Sequence, residues 1–167
     1  MQSDPNWANY YYDSSSHQVA INNYFQLHLL DFGATRTYTK SFVDTYLKLI
    51  NSAMDNDLKK LIFFSRQIGF LTGEESEVME NAHCDSIMIL AEALRSPMFD
   101  FGGQDITKRI AKTLPTMMRN RLTPPPEQTY SLHRKMAGIF MLFCELKAVV
   151  PCSIIFDSIK AGYRFDI

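Results

Sequence analysis

The sequence predicts a mainly α-helical domain that opens with a small β-hairpin, and three observations indicate this fold class. The 167 residues are 46% hydrophobic and 21% charged, a composition typical of one globular domain. Aromatic and β-branched residues flank a polar turn near the N-terminus, which favours a hairpin. From Ser41 onward, apolar residues recur at steps of three and four, the period of a helix with one buried face. We therefore divide the domain into a hairpin segment, residues 1–40, and a helical bundle, residues 41–167.

The predicted hairpin consists of two short strands on either side of a polar turn. Tyr10–Tyr12 supply the first strand and Val19–Ile21 the second, with an aspartate and three serines, residues 13–16, between them. Tyrosine, valine and isoleucine favour extended backbone, whereas aspartate and serine side chains bond to nearby backbone groups and favour turns.

Six helices are expected after the hairpin, over residues 41–53, 58–68, about 73–96, 106–118, 127–144 and 151–163. Gly69 should end the second helix, and the pair Thr72 and Glu75 forms a capping-box pattern that starts the third. Asp105 is the expected cap of the fourth helix, and Pro115 should kink or divide it.

The expected buried faces follow from the same periodicity. The segment Ile139–Cys144 is apolar on all sides, which predicts that the fifth helix lies inside the bundle. The last helix is expected to use Ile155 and Ile159. The third helix should bury a set of small and apolar side chains: Val78, Ala82, Met88, Ala91 and Leu94.

Charge and cysteine usage exclude several classes of protein. Lys and Arg number 17 and Asp and Glu 18, a formal net charge of −1, so no basic field favours nucleic-acid binding. No apolar run approaches the roughly 18 residues that a transmembrane helix requires. The first residues have neither a basic region nor an apolar segment, so they are not expected to be a secretory signal or a transit peptide. Three cysteines without a C-x-x-C pair indicate a reducing compartment, where each is expected to be a buried apolar residue.

Charge is segregated along the predicted helices. Six acidic residues and no Lys or Arg lie between Gly73 and Glu92, whereas five basic residues and one aspartate lie between Gln104 and Leu122. One interpretation is two solvated faces that attract each other weakly. The other is that the basic helix forms a surface for a partner protein or for anionic lipid headgroups.

Three side chains of the hairpin segment are candidates for a phosphoryl-transfer site. Asp4 and Asn9 have the spacing Asp-x-x-x-x-Asn, and Asp31 follows two leucines and begins an Asp-Phe-Gly tripeptide with Phe32 and Gly33. This order is typical of kinase-type sites. The first aspartate orients the attacking hydroxyl or water, and the asparagine and second aspartate hold Mg²⁺, which prefers hard oxygen ligands. The hairpin should bring the two loops side by side.

A second Asp-Phe-Gly tripeptide shows that the tripeptide alone is weak evidence. Asp100, Phe101 and Gly102 lie in a predicted loop, residues 96–104, with no strand expected before them. No Asp-x-x-x-x-Asn precedes them at hairpin distance. Asp100 is therefore expected to be a turn former.

Five segments resemble the UbiB (aarF-domain) family of atypical kinases, in the mitochondrial branch required for coenzyme Q biosynthesis. They are residues 2–9, 29–36, 70–73, 99–102 and 124–135. The resemblance implies a protein-kinase-like C-lobe, ATP and Mg²⁺ as cofactors, and an ATPase or atypical kinase activity on the matrix face of the inner mitochondrial membrane. It also implies that Asp4 is the catalytic-loop aspartate, that Asn9 and Asp31 bind metal, and that coenzyme Q biosynthetic proteins are partners.

Two departures from the family pattern are expected to matter. The small N-lobe is expected to be absent from this chain, so the isolated chain should be inactive and should expose an apolar patch near Tyr10–Phe32. Residues 21–28 resemble an insertion in the second strand, which would shift the position of Asp31. The alternative function is a non-catalytic helical interaction module, or pseudokinase fragment, that binds partners of the biosynthetic complex.

Overall fold

The computed structural model describes residues 1, 3, 4, 6, 12, 13, 18, 19 and 33–166 of the chain. The elements of this part are β1 (Tyr12–Asp13), β2 (Gln18–Val19), α1 (Lys40–Met54), α2 (Leu58–Ile68), α3 (Glu77–Arg95), β3 (Phe99–Asp100), α4 (Ile106–Asn120), α5 (Glu127–Glu145), β4 (Val149–Val150) and α6 (Cys152–Ala161). The strands form two separate two-stranded sheets. The prediction of a mainly helical domain with a small hairpin is confirmed, and the elements agree with the expected kinase-like C-lobe.

The chain consists of two compact units. The first contains Met1–Thr37 and Glu127–Leu142, and the second contains Tyr38–Pro126 and Phe143–Ile167. Helix α5 therefore contributes residues to both units. The division of the chain at residue 40 stays a prediction.

The hairpin of the first unit pairs β1 with β2 in antiparallel register. Tyr12 lies opposite Val19, and Asp13 lies opposite Gln18. The two predicted strands are confirmed at Tyr12 and Val19, whereas Asp13, predicted in the turn, lies in β1, and the rest of the predicted turn, residues 14–16, lies outside the described residues. The predicted insertion, residues 21–28, and nearly all of the predicted apolar patch, residues 10–32, lie outside the described residues.

Helices α1 and α2 each begin after a residue whose side chain accepts a hydrogen bond from a free N–H group of the first turn. Thr39 Oγ1 accepts a hydrogen bond from the Phe42 N–H at 3.3 Å, and the Asp57 carboxylate accepts one from the Lys60 N–H at 3.0 Å. Gly69 ends α2 as predicted. Its φ of 90° is a left-handed conformation that a side chain would strain.

Helix α3 begins at Glu77, after the start predicted near residue 73. Its cap is Ser76, whose hydroxyl oxygen accepts a hydrogen bond from a backbone N–H of the first turn. The Glu75 carboxylate accepts hydrogen bonds from the N–H groups of Thr72 at 2.7 Å and Gly73 at 2.8 Å, but these bonds form a turn before the helix. Gly73 has a φ of 102°, which no right-handed helix contains, so the helix starts later.

The buried face of α3 differs in part from the predicted one. Ala82 and Ala91 are buried as predicted, whereas Val78 is 60% exposed. Val78 lies one position before the fully buried Met79, and consecutive helical residues are about 100° apart around the axis. The prediction for Val78 was therefore wrong because it assigned that residue to the wrong side of the first turn.

Helix α4 continues through Pro115 as one helix, so the proline does not divide it. Asp105 makes no capping hydrogen bond, and Gln104 Oε1 instead accepts the Ile106 N–H at 2.5 Å. The Asp105 carboxylate lies 3.5 Å from Arg109 Nη1. Asp105 thus occupies the N-cap position as predicted, but its side chain does not cap the helix, because it lies toward a cation one turn later.

Helices α5 and α6 expose apolar side chains that were expected to be buried. Met141 is 66% exposed and Ile159 is 68% exposed, and Ile139 and Ile155 are exposed as well. The prediction that the apolar run of α5 lies inside a bundle is therefore wrong. Such a run shows that a helix lacks a polar face, but it does not show that neighbouring elements cover it.

A second small sheet lies partly in the segment predicted to be a loop. Strands β3 and β4 are antiparallel, with Phe99 opposite Val150 and Asp100 opposite Val149. Strand β3 therefore runs into the second Asp-Phe-Gly tripeptide and contains its Asp100, contrary to the prediction that no strand comes before it. Its partner comes from a distant part of the chain, so the local sequence does not reveal the pairing.

The core of the second unit lies between α1, α2 and α3. It is a cluster of buried apolar side chains: Leu49, Ala53, Leu61, Phe70, Cys84 and Ala91. Arg95 of α3 supports the end of α1, since its Nη1 donates to the Ala53 carbonyl at 3.0 Å and to Asn56 Oδ1 at 2.8 Å. All three cysteines are free, and Cys84 is buried as predicted, whereas Cys144 and Cys152 are half-buried.

Asp44 of α1 anchors the C-terminal segment of the second unit. The Tyr163 hydroxyl donates to Asp44 Oδ1 at 2.6 Å, and the Asp166 N–H donates to Asp44 Oδ2 at 3.1 Å. Lys40 Nζ lies 2.9 Å from Oδ1. The hydrogen bond from Tyr163, together with the Lys40 charge, lowers the pKa of Asp44 from 3.8 to about 2.

We expect acid to weaken this anchor. Because the pKa of Asp44 is lower in the folded protein than in the unfolded chain, its contribution to stability is complete above about pH 4 and is lost as the pH falls toward 2. Urea unfolding of the wild type and of Asp44→Asn should give midpoints whose difference shrinks below about pH 4. Asp157→Asn, at an exposed aspartate of α6, is the control without such a trend. A difference for Asp44→Asn that stays constant through this range would contradict the expectation.

Candidate functional site

The structure describes two of the five predicted site residues, Asp4 and Gly33. Asn9, Asp31 and Phe32 lie outside the described residues, and their roles stay predictions. Asp4 is half-buried, and Gly33 is exposed. Both belong to the first unit.

Backbone hydrogen bonds join the start of the chain to the segment that follows the first tripeptide. The Ser3 N–H donates to the Ala34 carbonyl at 3.0 Å, and the Arg36 N–H donates to the Met1 carbonyl at 2.8 Å. The buried Ser3 hydroxyl donates to the same Ala34 carbonyl at 2.6 Å. This reciprocal pattern is that of two antiparallel segments.

The antiparallel pairing carries Asp4 toward Gly33. Asp4 directly follows Ser3, and Gly33 directly precedes Ala34, so the two residues occupy neighbouring positions on the paired segments. This placement agrees with the expected approach of the loop that contains Asp4 to the tripeptide.

The Asp4 carboxylate has at least two donors within the first unit. Asp4 Oδ1 accepts a hydrogen bond from the Asn6 N–H at 3.3 Å and lies 3.0 Å from Arg134 Nη2 on α5. The Asp4 side chain is 20% exposed and the Arg134 side chain 65% exposed. Because an exposed ion pair adds little to stability, its main effect is on the direction in which the carboxylate points.

Arg134 is a site residue that the sequence analysis missed. It lies 130 positions after Asp4 along the chain, and neither motif spacing nor helical period relates residues so far apart. Its one sequence signal is its place in residues 124–135, a segment that resembles the UbiB family but carries no role in the spacing argument.

The second Asp-Phe-Gly tripeptide forms a turn. Asp100 Oδ1 accepts hydrogen bonds from the N–H groups of Gly102 at 2.9 Å and Gly103 at 3.1 Å. This confirms the prediction that Asp100 is a turn former. Phe101 is only 2% exposed and packs in the interior of the second unit. The Asp100 carboxylate is thus bonded to the backbone of its own turn. A metal-binding aspartate instead directs its oxygens at the ion.

The basic helix α4 pairs with the acidic helix α3 through one cation and exposes others. Arg109 forms a two-pronged ion pair with Glu92, with Nη1 2.8 Å from Oε2, and this pairing lowers the pKa of Glu92. Leu114 and Met118 are exposed on the outer side of α4. Within the described part of the chain, no ion pair involves three exposed cations of α4: Lys108, Lys112 and Arg119. Both interpretations of the charge segregation therefore have a structural basis.

The described residues contain neither a membrane-spanning helix nor a group of metal ligands. No helix there is long and apolar enough to span a lipid bilayer. Nor do three or more His, Cys, Asp or Glu side chains of that part lie together as metal ligands would. The predicted Mg²⁺ ligands, Asn9 and Asp31, lie outside the described residues.

Known proteins match both the motif region and the whole length of the chain. Residues 1–65 match the ABC1 atypical kinase-like domain. The chain is 49% identical over 166 residues to the atypical kinase coq-8, mitochondrial, of Caenorhabditis elegans, a match that covers 99% of this chain and 22% of that protein. It is 42% identical over 164 residues to the atypical kinase COQ8B, mitochondrial, of Rattus norvegicus, covering 98% and 30%. It is 42% identical over 164 residues to the atypical kinase COQ8, mitochondrial, of Saccharomyces cerevisiae, covering 96% and 31%.

The chain thus spans 22% to 31% of the length of these relatives. All three are named mitochondrial atypical kinases, in agreement with the predicted family and localisation. The domain match includes the paired segments that hold Asp4 and Gly33, and the identity continues through the helical part. Residues 1–65 thus match the ABC1 atypical kinase-like domain, and nearly the whole chain is similar to mitochondrial COQ8 atypical kinases, in agreement with the resemblance to the UbiB family.

Proposed function

We propose that this chain supplies the catalytic loop, the metal-binding tripeptide and the helical C-lobe of a mitochondrial ATPase or atypical kinase that supports ubiquinone (coenzyme Q) biosynthesis. The observation that carries the proposal is the antiparallel hydrogen bonding of Met1 with Arg36 and of Ser3 with Ala34. This pairing draws together the two segments in which the motif residues lie. The 49% identity to a mitochondrial atypical kinase supports the same function.

The proposed roles follow from the chemistry of each side chain. Asp4 orients the attacking hydroxyl or water, because its carboxylate can accept the proton of that group. Asn9 and Asp31 offer the amide and carboxylate oxygens that Mg²⁺ prefers, and Phe32 and Gly33 complete the tripeptide beside the nucleotide. When bound, Mg²⁺ neutralises charge on the terminal phosphates of ATP. The half-buried position of Asp4 suits its role, since the carboxylate is held yet still reachable.

The proposed setting is the matrix face of the inner mitochondrial membrane, with coenzyme Q biosynthetic proteins as partners. The outer side of α4 is the surface we assign to such a partner or to lipid headgroups. Its exposed cations attract anionic groups, and the exposed Leu114 and Met118 beside them add apolar contact area.

A second candidate function is a non-catalytic interaction module, or pseudokinase fragment, that binds partners without turning over nucleotide. The exposed surface of α4 favours it, because that surface needs no nucleotide to act. The two candidates differ in one measurable property, which is the binding of ATP.

Binding of ATP by the gene product that carries this chain should require Mg²⁺. We expect saturable binding of a fluorescent ATP analogue in the presence of Mg²⁺, and an affinity lower by about tenfold or more after EDTA is added, because the metal bridges protein oxygens and phosphates. AMP, which lacks the terminal phosphates, should not compete. Absence of nucleotide binding under both conditions would favour the interaction module instead.

A further inference from the structure

We propose that Arg134 is a positioning residue that fixes the orientation of the Asp4 carboxylate. This inference rests on the proposed function and adds to the site a residue from α5, far away in sequence. Its basis is the contact between Arg134 Nη2 and Asp4 Oδ1 at 3.0 Å within the first unit.

The geometry of the carboxylate explains why Arg134 fixes a direction. The Arg134 guanidinium and the Asn6 N–H both bond to the same oxygen, Oδ1, of Asp4. Rotation about the bond between Cα and Cβ (χ1), or about the bond between Cβ and Cγ, would move Oδ1 away from both donors. The second oxygen, Oδ2, is therefore held in one direction, as an oxygen must be if it is to accept a proton from a bound hydroxyl or water.

The exposure of the two partners argues against a purely stabilising role. The Arg134 side chain is 65% exposed, and surface ion pairs of this kind contribute little to the free energy of unfolding. Arg134 also extends from a regular helix whose first turn contains Thr129, which is fully buried. A cation held on a rigid helix can fix the orientation of the predicted catalytic carboxylate that it contacts.

The inference predicts a specific kinetic change. In the gene product that carries this chain, Arg134→Gln should lower kcat for ATP hydrolysis by about 10- to 100-fold, because a reacting group displaced by about 1 Å costs up to that factor. KM for ATP should stay within about twofold, because Arg134 acts on Asp4 rather than on the nucleotide. Arg134→Lys should recover part of kcat, since the observed contact uses one N–H group that an ammonium can also supply.

A second measurement is independent of activity. NMR couplings that report the Asp4 χ1 rotamer, recorded on the chain with labelled aspartate, should indicate one rotamer in the wild type and in Arg134→Lys. In Arg134→Gln they should indicate averaging between rotamers. Lys160→Gln, at an exposed cation of α6, is the matched control and should change neither the couplings nor kcat.

The outcomes separate this inference from the proposed function. A single Asp4 rotamer that persists in Arg134→Gln overturns the positioning role, whatever the activity. A lower kcat in Arg134→Gln that is accompanied by a lower melting temperature, with no change in the Asp4 rotamer, also overturns it. If the unsubstituted gene product that carries this chain hydrolyses no ATP, the proposed function fails, and the rotamer measurement still decides whether Arg134 orients Asp4.

Discussion

Asp31→Asn should abolish ATP hydrolysis by the gene product that carries this chain, with a rate lower by at least about 10³-fold. An asparagine keeps the size of the side chain but removes the negative charge that the proposed site directs at Mg²⁺. The phosphates of ATP would then lose a metal contact that neutralises their charge during transfer. The measurement is release of inorganic phosphate at saturating ATP and Mg²⁺.

The chain contains its own matched control for this substitution. Asp100→Asn changes the same residue type in the same tripeptide, but Asp100 Oδ1 bonds to the N–H groups of Gly102 and Gly103. An asparagine oxygen can accept both bonds, so we expect hydrolysis to remain unchanged. Equal losses in the two variants would show that neither effect comes from a metal ligand, and full activity in Asp31→Asn would remove Asp31 from the proposed site.

Helices that carry their own end signals could be predicted from the sequence. Helix α2 lies at the predicted residues because its apolar period is regular and Gly69 supplies the left-handed residue that ends it. The start of α3 could not be placed, since the pair Thr72 and Glu75 fits both a helix cap and a turn. The left-handed φ of Gly73, which a sequence does not display, decides between the two.

Burial and long-range pairing were less predictable than helix position. The apolar run of α5 was expected in a core, yet Met141 is 66% exposed, because burial depends on what lies opposite a helix. The pairing of β3 with β4 joins Phe99 to Val150. Each strand has two residues, too few for a strand period to stand out from its surroundings.

The same difference between local and long-range signals applies to the residues of the candidate site. Asp4 and Gly33 lie in motifs with short spacings, so local sequence was enough to single them out. Arg134 reaches Asp4 from α5 only because the fold brings the two segments of the first unit together. No rule of local spacing gives such a contact.

Leu61→Ala should lower the free energy of unfolding by about 3 to 5 kcal/mol, a large share of the roughly 5 to 15 kcal/mol of an ordinary domain. Leu61 is fully buried on α2 in the core cluster with Leu49, Ala53 and Phe70. The substitution removes three carbon atoms from this closely packed site. The remaining cavity adds to the lost transfer free energy, because its neighbours belong to three different helices or their loops and cannot all move inward.

Leu58→Ala is the control for this substitution, because it removes the same atoms from the same helix. Leu58 is 51% exposed, so its truncation should cost less than about 1 kcal/mol. Urea unfolding measures both variants, and the difference should appear in the midpoint while the slope stays constant. Similar costs for the two leucines would mean that α2 does not pack into the second unit through Leu61.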